Sequence, residues 1–385
     1  MNILITVSTY YPKKDGVSKV TQYVAEGLAQ KGNNVTVITT NQNEKVNLEQ
    51  HNGVVIRRVN LYTRCGFYFG NKKDYRRIIE DETKKCDVMI NVCTQNAFTD
   101  VILKNIDSYK CKKVLYMHGM FDFRFHTLDF SSFSSIINKF WKEVRWFVYY
   151  FFNGKYFKKY DIVTQLHEKD YANIFFEKKY RIKSSIIENA ADDEFFCVKE
   201  KKGFKKPFDR YIIYVANYDD RKNQKLVIDE FFKSKIDKEI GLVLIGSCKN
   251  NYYNMLQKRI CTLRQIYKLR NDEKPILLLH DVERKFVSQY VSKAILYVMT
   301  SKWEAYPISI VESMACGIPF ISTDVGVVKY FIGGIVCNKN DIKFWIEKIV
   351  NNEKMRNEMS KMCALYAKSN FMIEDKIDIL EKLIK

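Results

Sequence analysis

Short apolar runs recur along the first half of the chain, at Ile3–Val7, Val35–Thr39, Val54–Val59, Val88–Val92, Lys113–Met117, Asp161–Thr164 and Ser185–Ile187. Runs that are apolar throughout, rather than alternating, belong to parallel strands covered on both faces. Between the first two, Val20, Tyr23, Val24, Gly27 and Leu28 repeat at helical spacing, and Gly32 follows as a stop signal. Strand, loop, helix, glycine and strand make a βαβ unit.

A lysine-rich stretch, Lys199 to Lys206, ends at Pro207, and the pattern then restarts. New strands are predicted at Tyr211–Val215, Gly241–Ile245, Ile276–Leu279, Ile295–Met299, Pro319–Ser322 and Ile335–Val336; from Asp341 onward the spacing is helical. The expected architecture is α/β, with two doubly wound Rossmann-like domains at 1–196 and 210–365 and a linker at 197–209. A terminal helix at about 366–385 is expected to pack back on the first domain. Ligands bind beyond the carboxyl ends of such strands, so the site is expected in a cleft between the domains.

Composition narrows the class. With 46% hydrophobic and 28% charged residues the chain can fill sizeable cores, and it is neither disordered nor collagen-like. Its 64 Lys and Arg against 45 Asp and Glu give a net charge of +19, carried by both halves rather than by a tail. Such a surface favours anionic partners. The ten cysteines include no C-x-x-C pair and read as reduced, mostly buried thiols. The first residues lack a basic stretch ahead of their apolar run, and no run reaches the roughly 20 residues of a spanning helix. A cytoplasmic protein is expected.

Several chemistries lack their motifs. No G-x-G occurs among the 15 glycines, which weakens a dinucleotide dehydrogenase, and no P-loop, H-E-x-x-H, EF-hand or D-x-D pattern is present. No metal and no cofactor are expected.

One segment carries most of the chemistry. Residues 303–326 read WEAYPISIVESMACGIPFISTDVG. The strand ending at Met299 delivers Glu304 into a loop at its carboxyl end. Pro307 suits a first helical position, and Gly317 stops the helix about three turns later. The amides of Ile308, Ser309 and Ile310 then become orphan donors at a positive helix end, suited to a pyrophosphate. Glu304 and Glu312, straddling that site, can accept hydrogen bonds from hydroxyl groups on either side.

The whole string resembles the E-x7-E signature of retaining glycosyltransferases of family 4, which have the two-Rossmann GT-B fold. The resemblance implies that Glu304 lies against the hydroxyls of a donor sugar and that Glu312 holds the ribose of a nucleotide. It also implies that the amides of Tyr306, Ile308 and Ser309 contact sugar and diphosphate. A basic pair in the family's next motif matches the loop Tyr214 to Asn223, with Lys222 in the lysine position. Asn217 stands where many members have arginine, so either Arg221 supplies the second charge or one cation serves. Gly16, in the loop Pro12 to Ser18, matches a glycine that approaches the diphosphate; it permits close backbone approach and positive φ, and it also suits a plain βα turn. His118, in Leu115 to Asp122, matches a histidine close to the reacting sugar. Asn189 matches a structural turn.

The implied function is transfer of a sugar from a nucleotide diphosphate donor to a hydroxyl on a glycan or lipid-linked acceptor, in surface polysaccharide or lipid-linked glycan synthesis. Two rivals come from other classes. The charge alone admits a nucleic-acid-binding protein, though no reader motif supports one. Asn217 and the single Gly16 admit a non-catalytic nucleotide-sugar-binding protein of the same fold. Finally, residues 139–160 interleave six cations with aromatics that include Trp141, Trp146, Phe147, Tyr149, Tyr150, Phe151 and Phe152, against the single acid Glu143. This stretch reads equally as a helix seated on an anionic membrane face or as an ordinary core helix, because the aromatics do not keep to one face.

Overall fold

The computed structural model describes residues 1–13, 15–41, 46–120, 123, 133–269 and 272–385. They form two compact units, Met1–Glu188 with Lys376–Lys385, and Asn189–Asp375. Lys14, Phe121 and Asp122, from two of the motifs above, lie outside the described residues.

The strands of the first unit are β1 (Asn2–Thr6), β2 (Asn34–Thr40), β3 (Leu48–His51), β4 (Val54–Val59), β5 (Leu61–Arg64), β6 (Phe67–Gly70), β7 (Val88–Val92), β8 (Lys112–Tyr116), β9 (Ile162–Gln165) and β10 (Ser185–Ile186). Its helices are α1 (Gly16–Gln30), α2 (Lys72–Thr83), α3 (Ala97–Asp100), α4 (Phe133–Phe157) and α5 (Tyr171–Tyr180). The main sheet runs β10-β9-β8-β7-β1-β2-β4-β3, parallel except where β3 pairs antiparallel with β4. All five residues of β7 are buried, as strands covered on both faces require. Order reverses between β1 and β7, which makes that point the sheet's topological switch.

Helix α1 begins where Asp15 caps it: the carboxylate accepts from the Ser18 amide at 3.0 Å and from Thr9 Oγ1 at 3.0 Å. It ends where Gly32 takes a φ of 83°, the left-handed turn expected at that glycine. A separate hairpin, β5–β6, turns on Cys65 and Gly66, both at positive φ, the backbone of a tight two-residue turn.

The second unit contains β11 (Tyr211–Val215), β12 (Gly241–Gly246), β13 (Ile276–His280), β14 (Leu296–Met299), β15 (Phe320–Thr323) and β16 (Ile335–Cys337). Its helices are α6 (Asp193–Phe196), α7 (Gln224–Lys233), α8 (Asn251–Lys268), α9 (Arg284–Ser292), α10 (Ile308–Ala315), α11 (Ile342–Val350) and α12 (Glu353–Asn370). The sheet is wholly parallel, in the order β13-β12-β11-β14-β15-β16, with its switch between β11 and β14. The chain passes between units at Glu188 and Asn189, so the lysine-rich 197–209 belongs with the second unit.

A final helix, α13 (Ile373–Ile384), returns most of its length to the first unit. Gly27 of α1 makes room for it, because a Cβ there would sit 1.9 Å from Ile377 Cδ1. Lys31 pairs with Asp378 at 2.5 Å, and Lys112 Nζ donates to the Ile384 carbonyl at 2.9 Å. All ten cysteines are free, but only Cys111 and Cys363 are buried and four are exposed, which corrects the expectation of mostly buried thiols. Short loops, rather than strand interiors, hold the exposed Cys65, Cys197 and Cys248.

Candidate active site

The loops after β11 and β14 meet beside the switch of the second sheet. Lys222 follows β11 and forms an ion pair with Glu304, which follows β14. Ser301 Oγ donates to the same Glu304 Oε1 at 2.8 Å, so both bonds fall on one oxygen and leave Oε2 to accept from a ligand hydroxyl. The pair is mostly buried, with side-chain exposures of 18% and 10%, where an ion pair is worth more than at the surface. Backbone bonds fix both loops: Tyr214 OH donates to the Lys222 carbonyl at 2.8 Å, and Thr300 Oγ1 to the Asn223 carbonyl at 2.8 Å.

Glycine is required at Gly326, where φ is 53° and a Cβ would lie 2.2 Å from the Ala305 carbonyl oxygen. The close approach lets the Val327 amide donate to that carbonyl at 3.2 Å and steadies the loop that carries Glu304.

Arg221 takes a different course from Lys222. It is exposed, its guanidinium lies 5.6 Å from the centre of the Trp303 ring, and its carbonyl accepts from the Lys302 amide at 2.7 Å. The structure therefore joins Lys222 to Glu304 and leaves Arg221 on the adjoining aromatic surface. Asn217 is also exposed, and its carbonyl accepts from Gln224 Nε2 at 2.8 Å.

Helix α10 opens with Pro307 as its N-cap rather than as its first helical residue, because ψ there is 108°, outside the helical range. The Ile310 and Val311 amides both donate to the Pro307 carbonyl. Ile310 is thus no orphan donor, and of the three amides expected to be free, Ile308 and Ser309 remain at the helix mouth. Ser309 also contacts the Tyr297 hydroxyl, which donates to the Val215 carbonyl at 3.0 Å. Tyr306 is buried, and its carbonyl accepts from Asn189 Nδ2 at 3.1 Å, a structural role for Asn189.

Glu312 lies one turn deeper and is 4% exposed, so it is not a solvated position on the helix face. Arg284 of α9 engages both its carboxylate oxygens and also bonds Asp192 Oδ2 at 3.1 Å. Burial opposes the guanidinium charge, yet the carboxylates of Glu312 and Asp192 outweigh it and hold Arg284 firmly protonated. The Phe195 ring lies 4.7 Å from the Arg284 guanidinium carbon. Arg284, Asp192 and Ser301 were not read from the sequence. Arg284 lies in no motif and reaches Glu312 only through tertiary contact, Asp192 ends the turn motif that holds Asn189 and meets Arg284 in the same way, and Ser301 sits three residues before Glu304.

The corresponding edge of the first unit is chemically different. Gly16 is the first residue of α1, behind the Asp15 cap, so its backbone is right-handed and the glycine's freedom for positive φ is not used. His118 follows β8 beside Gly119, whose φ is 91°. Burial pulls the His118 pKa down to about 4, so the ring is neutral near pH 7, and its Nε2 has no hydrogen-bond partner among the described residues. Cys93, just after β7 with a φ of 63°, is bonded by the His118 backbone amide, and burial pushes its thiol up to about 12.

Residues 198–368 match the model for glycosyl transferases group 1, and residues 14–169 match the model for Glycosyltransferase Family 4. The chain belongs to glycosyltransferase family 4. Among relatives of this family 4 chain, N-acetyl-alpha-D-glucosaminyl L-malate synthase of Bacillus anthracis is 23% identical over 40% of each chain. UDP-Gal:alpha-D-GlcNAc-diphosphoundecaprenol alpha-1,3-galactosyltransferase of Escherichia coli is 29% identical over 36% of this chain and 34% of its own. The matched region thus spans 40% or less of either relative's length.

Solved structures cover nearly all of the family 4 chain. Sucrose-phosphate synthase from Thermosynechococcus elongatus superposes with a TM-score of 0.73 at 14% identity, covering 99% of this chain and 98% of that one. Anabaena HepE in complex with UDP-glucose superposes at 0.68 and 13% identity, covering 100% and 99%. These likenesses establish the GT-B fold.

Proposed function

We propose that this chain transfers a sugar from a nucleoside diphosphate donor to a hydroxyl acceptor, with retention at the anomeric carbon. The observation that carries the reading is the pair of carboxylates before and one turn inside α10, each held by its own cation: Glu304 by Lys222 and Glu312 by Arg284. In this reading Glu304 Oε2 accepts from the sugar hydroxyls and Glu312 from the ribose. Lys222 and the Ile308 and Ser309 amides neutralise the diphosphate as it leaves, and Tyr306 lines the sugar. The acceptor oxygen bonds the anomeric carbon as the bond to the diphosphate oxygen breaks on the same face, and the departing diphosphate takes the hydroxyl proton. No metal takes part.

Two names support the substrate class. HepE was solved with UDP-glucose, and the Escherichia coli relative's named acceptor is carried on diphosphoundecaprenol. We place the reaction in the cytoplasm, on a glycan or lipid-linked acceptor of a surface polysaccharide pathway.

A panel of nucleoside diphosphate sugars tests this directly. One donor should raise the unfolding temperature, a ligand at 100 times its Kd adding about 2.7 kcal/mol. With that donor and a glycan acceptor, NMR of the product should show the donor's anomeric configuration, at a rate unchanged by EDTA. An inverted product, or stabilisation by no donor, would overturn the reading.

A further inference from the structure

Helix α4 is apolar on two faces. Inward, Tyr150 and Phe157 are 1% and 0% exposed, with Trp146 and Tyr149 packed against the same core. Outward, Phe133, Phe140, Trp141, Phe147, Phe151 and Phe152 are 55–79% exposed. At 100° per residue these six, with Ile137 and Val148 between them, occupy about 140° of the helix surface. The aromatics that looked scattered in sequence are two stripes on opposite sides, one filling the core and one bare.

The bare stripe is bordered by cations. Lys179 of α5 lies 5.4 Å and 5.8 Å from the centres of the Phe147 and Phe151 rings, and Lys155 is exposed near the helix's end. On the other border Arg145 lies 4.6 Å from the centre of the Phe67 ring and donates to the Cys65 carbonyl at 3.1 Å. That contact ties α4 to the tip of the β5–β6 hairpin, where Phe67 and Phe69 are also exposed, at 63% and 43%. Beneath, Tyr68 and Tyr149 both donate to Asp100, so hairpin and helix are fastened to α3 as one platform. The helix's single acid, Glu143, is paired with Lys139 at 2.6 Å and only 14% exposed.

We propose that this platform, the outer stripe of α4 with the β5–β6 tip, is seated on an anionic lipid bilayer. Aromatic rings backed by Lys and Arg match the interface between acyl chains and negative headgroups. A second copy of the chain would bring the same cations face to face, which disfavours self-association. Helix α4 lies along the surface, since no helix among the described residues is long and apolar enough to cross a membrane. The inference deepens the proposed function by stating where a lipid-linked acceptor is met, but docking itself is measured without any sugar transfer.

The test is co-sedimentation of the full chain with vesicles. Vesicles of phosphatidylcholine with 30% phosphatidylglycerol, roughly the anionic content that gives a strong surface potential, should pull down the protein at low salt, and pure phosphatidylcholine should not. F140S/W141S/F151S/F152S should lower the partition coefficient at least about tenfold, since each buried ring contributes apolar area, with an unchanged unfolding temperature because all four sites are exposed. K155E/K179E should lower it several-fold and flatten the salt dependence. Equal recovery on both vesicle types, or wild-type binding by the serine variant, would overturn the proposal. So would ultracentrifugation showing a lipid-free wild-type dimer that the serine variant dissolves, because the stripe would then belong to a second copy.

Discussion

At the switch of the second sheet, Lys222, Glu304, Arg284 and Glu312 form matched ion pairs, whereas beside the switch of the first stand a capping carboxylate, a thiol and an imidazole. There Asp15 is spent on capping α1, the Cys93 thiol stays protonated and the His118 ring stays neutral. The two sheets share one topological device, yet one edge suits an anion and polyhydroxyl groups and the other presents a neutral imidazole and a protonated thiol. Topology selects where a ligand can sit, and the loop residues select what it can be.

That contrast can be broken most sharply at Lys222. Lys222→Ala should cut turnover by about 10²–10³, the usual loss when one preorganised charge is removed from a developing anion. It also strands Glu304, so the double variant Lys222→Ala/Glu304→Gln should regain thermal stability without regaining kcat. Wild-type turnover in the single variant would mean that the charged edge contributes nothing to rate.

The neutral edge predicts a pH effect. The folded pKa of His118, about 4, lies below its unfolded value. Between the two the unfolded chain binds more protons, so stability falls as pH drops from 7 toward 4, by up to about 2 kcal/mol at pH 5. Asp100 runs the other way: burial raises it to about 7 against the hydrogen bonds of Tyr149 and Tyr68, and its contribution is lost as pH rises through 7. Urea midpoints of wild type and His118→Gln at pH 7 and pH 5 isolate the histidine, and wild type should lose more. Equal losses would show that His118 titrates normally.

Two smaller effects sharpen the picture. Glu312→Ala should weaken donor affinity by about tenfold, the scale of a hydrogen bond to a charged group, and Arg284→Lys should do so less, since Lys loses the two-pronged bond but keeps the charge beside Glu312. Isothermal titration with the donor measures both. Arg221→Ala should change kcat/KM by no more than about threefold, as befits an exposed cation over an aromatic ring. A loss comparable to that of Lys222 would assign Arg221 the second charge after all.

The buried parallel strands were legible because continuous apolar runs announce themselves, Glu304 and Glu312 because they lie in one spaced motif, and Lys222 because a second motif, the loop after β11, carries it. What escaped the sequence had no such local signature. Strand β3 is Leu-Glu-Gln-His at a sheet edge, and β5–β6 is a hairpin whose Phe67 and Phe69 face outward, so neither reads as a core strand. Arg284 stands 28 residues from Glu312, and only the packing of α9 beside α10 makes it a partner. Pro307 was placed one step off in backbone conformation, because a residue type favours a helix start without fixing whether it is the cap or the first turn.

The return of α13 to the first unit sets an order of assembly. Domains generally fold in the sequence in which they are synthesised, but here the first unit is interrupted by all of the second. Until residues 376–385 have left the ribosome, the notch at Gly27 has no Ile377 to fill it and Lys31 has no Asp378. The half that is begun first is therefore the half completed last, and the nascent chain carries an unfinished first unit while its second unit is already whole.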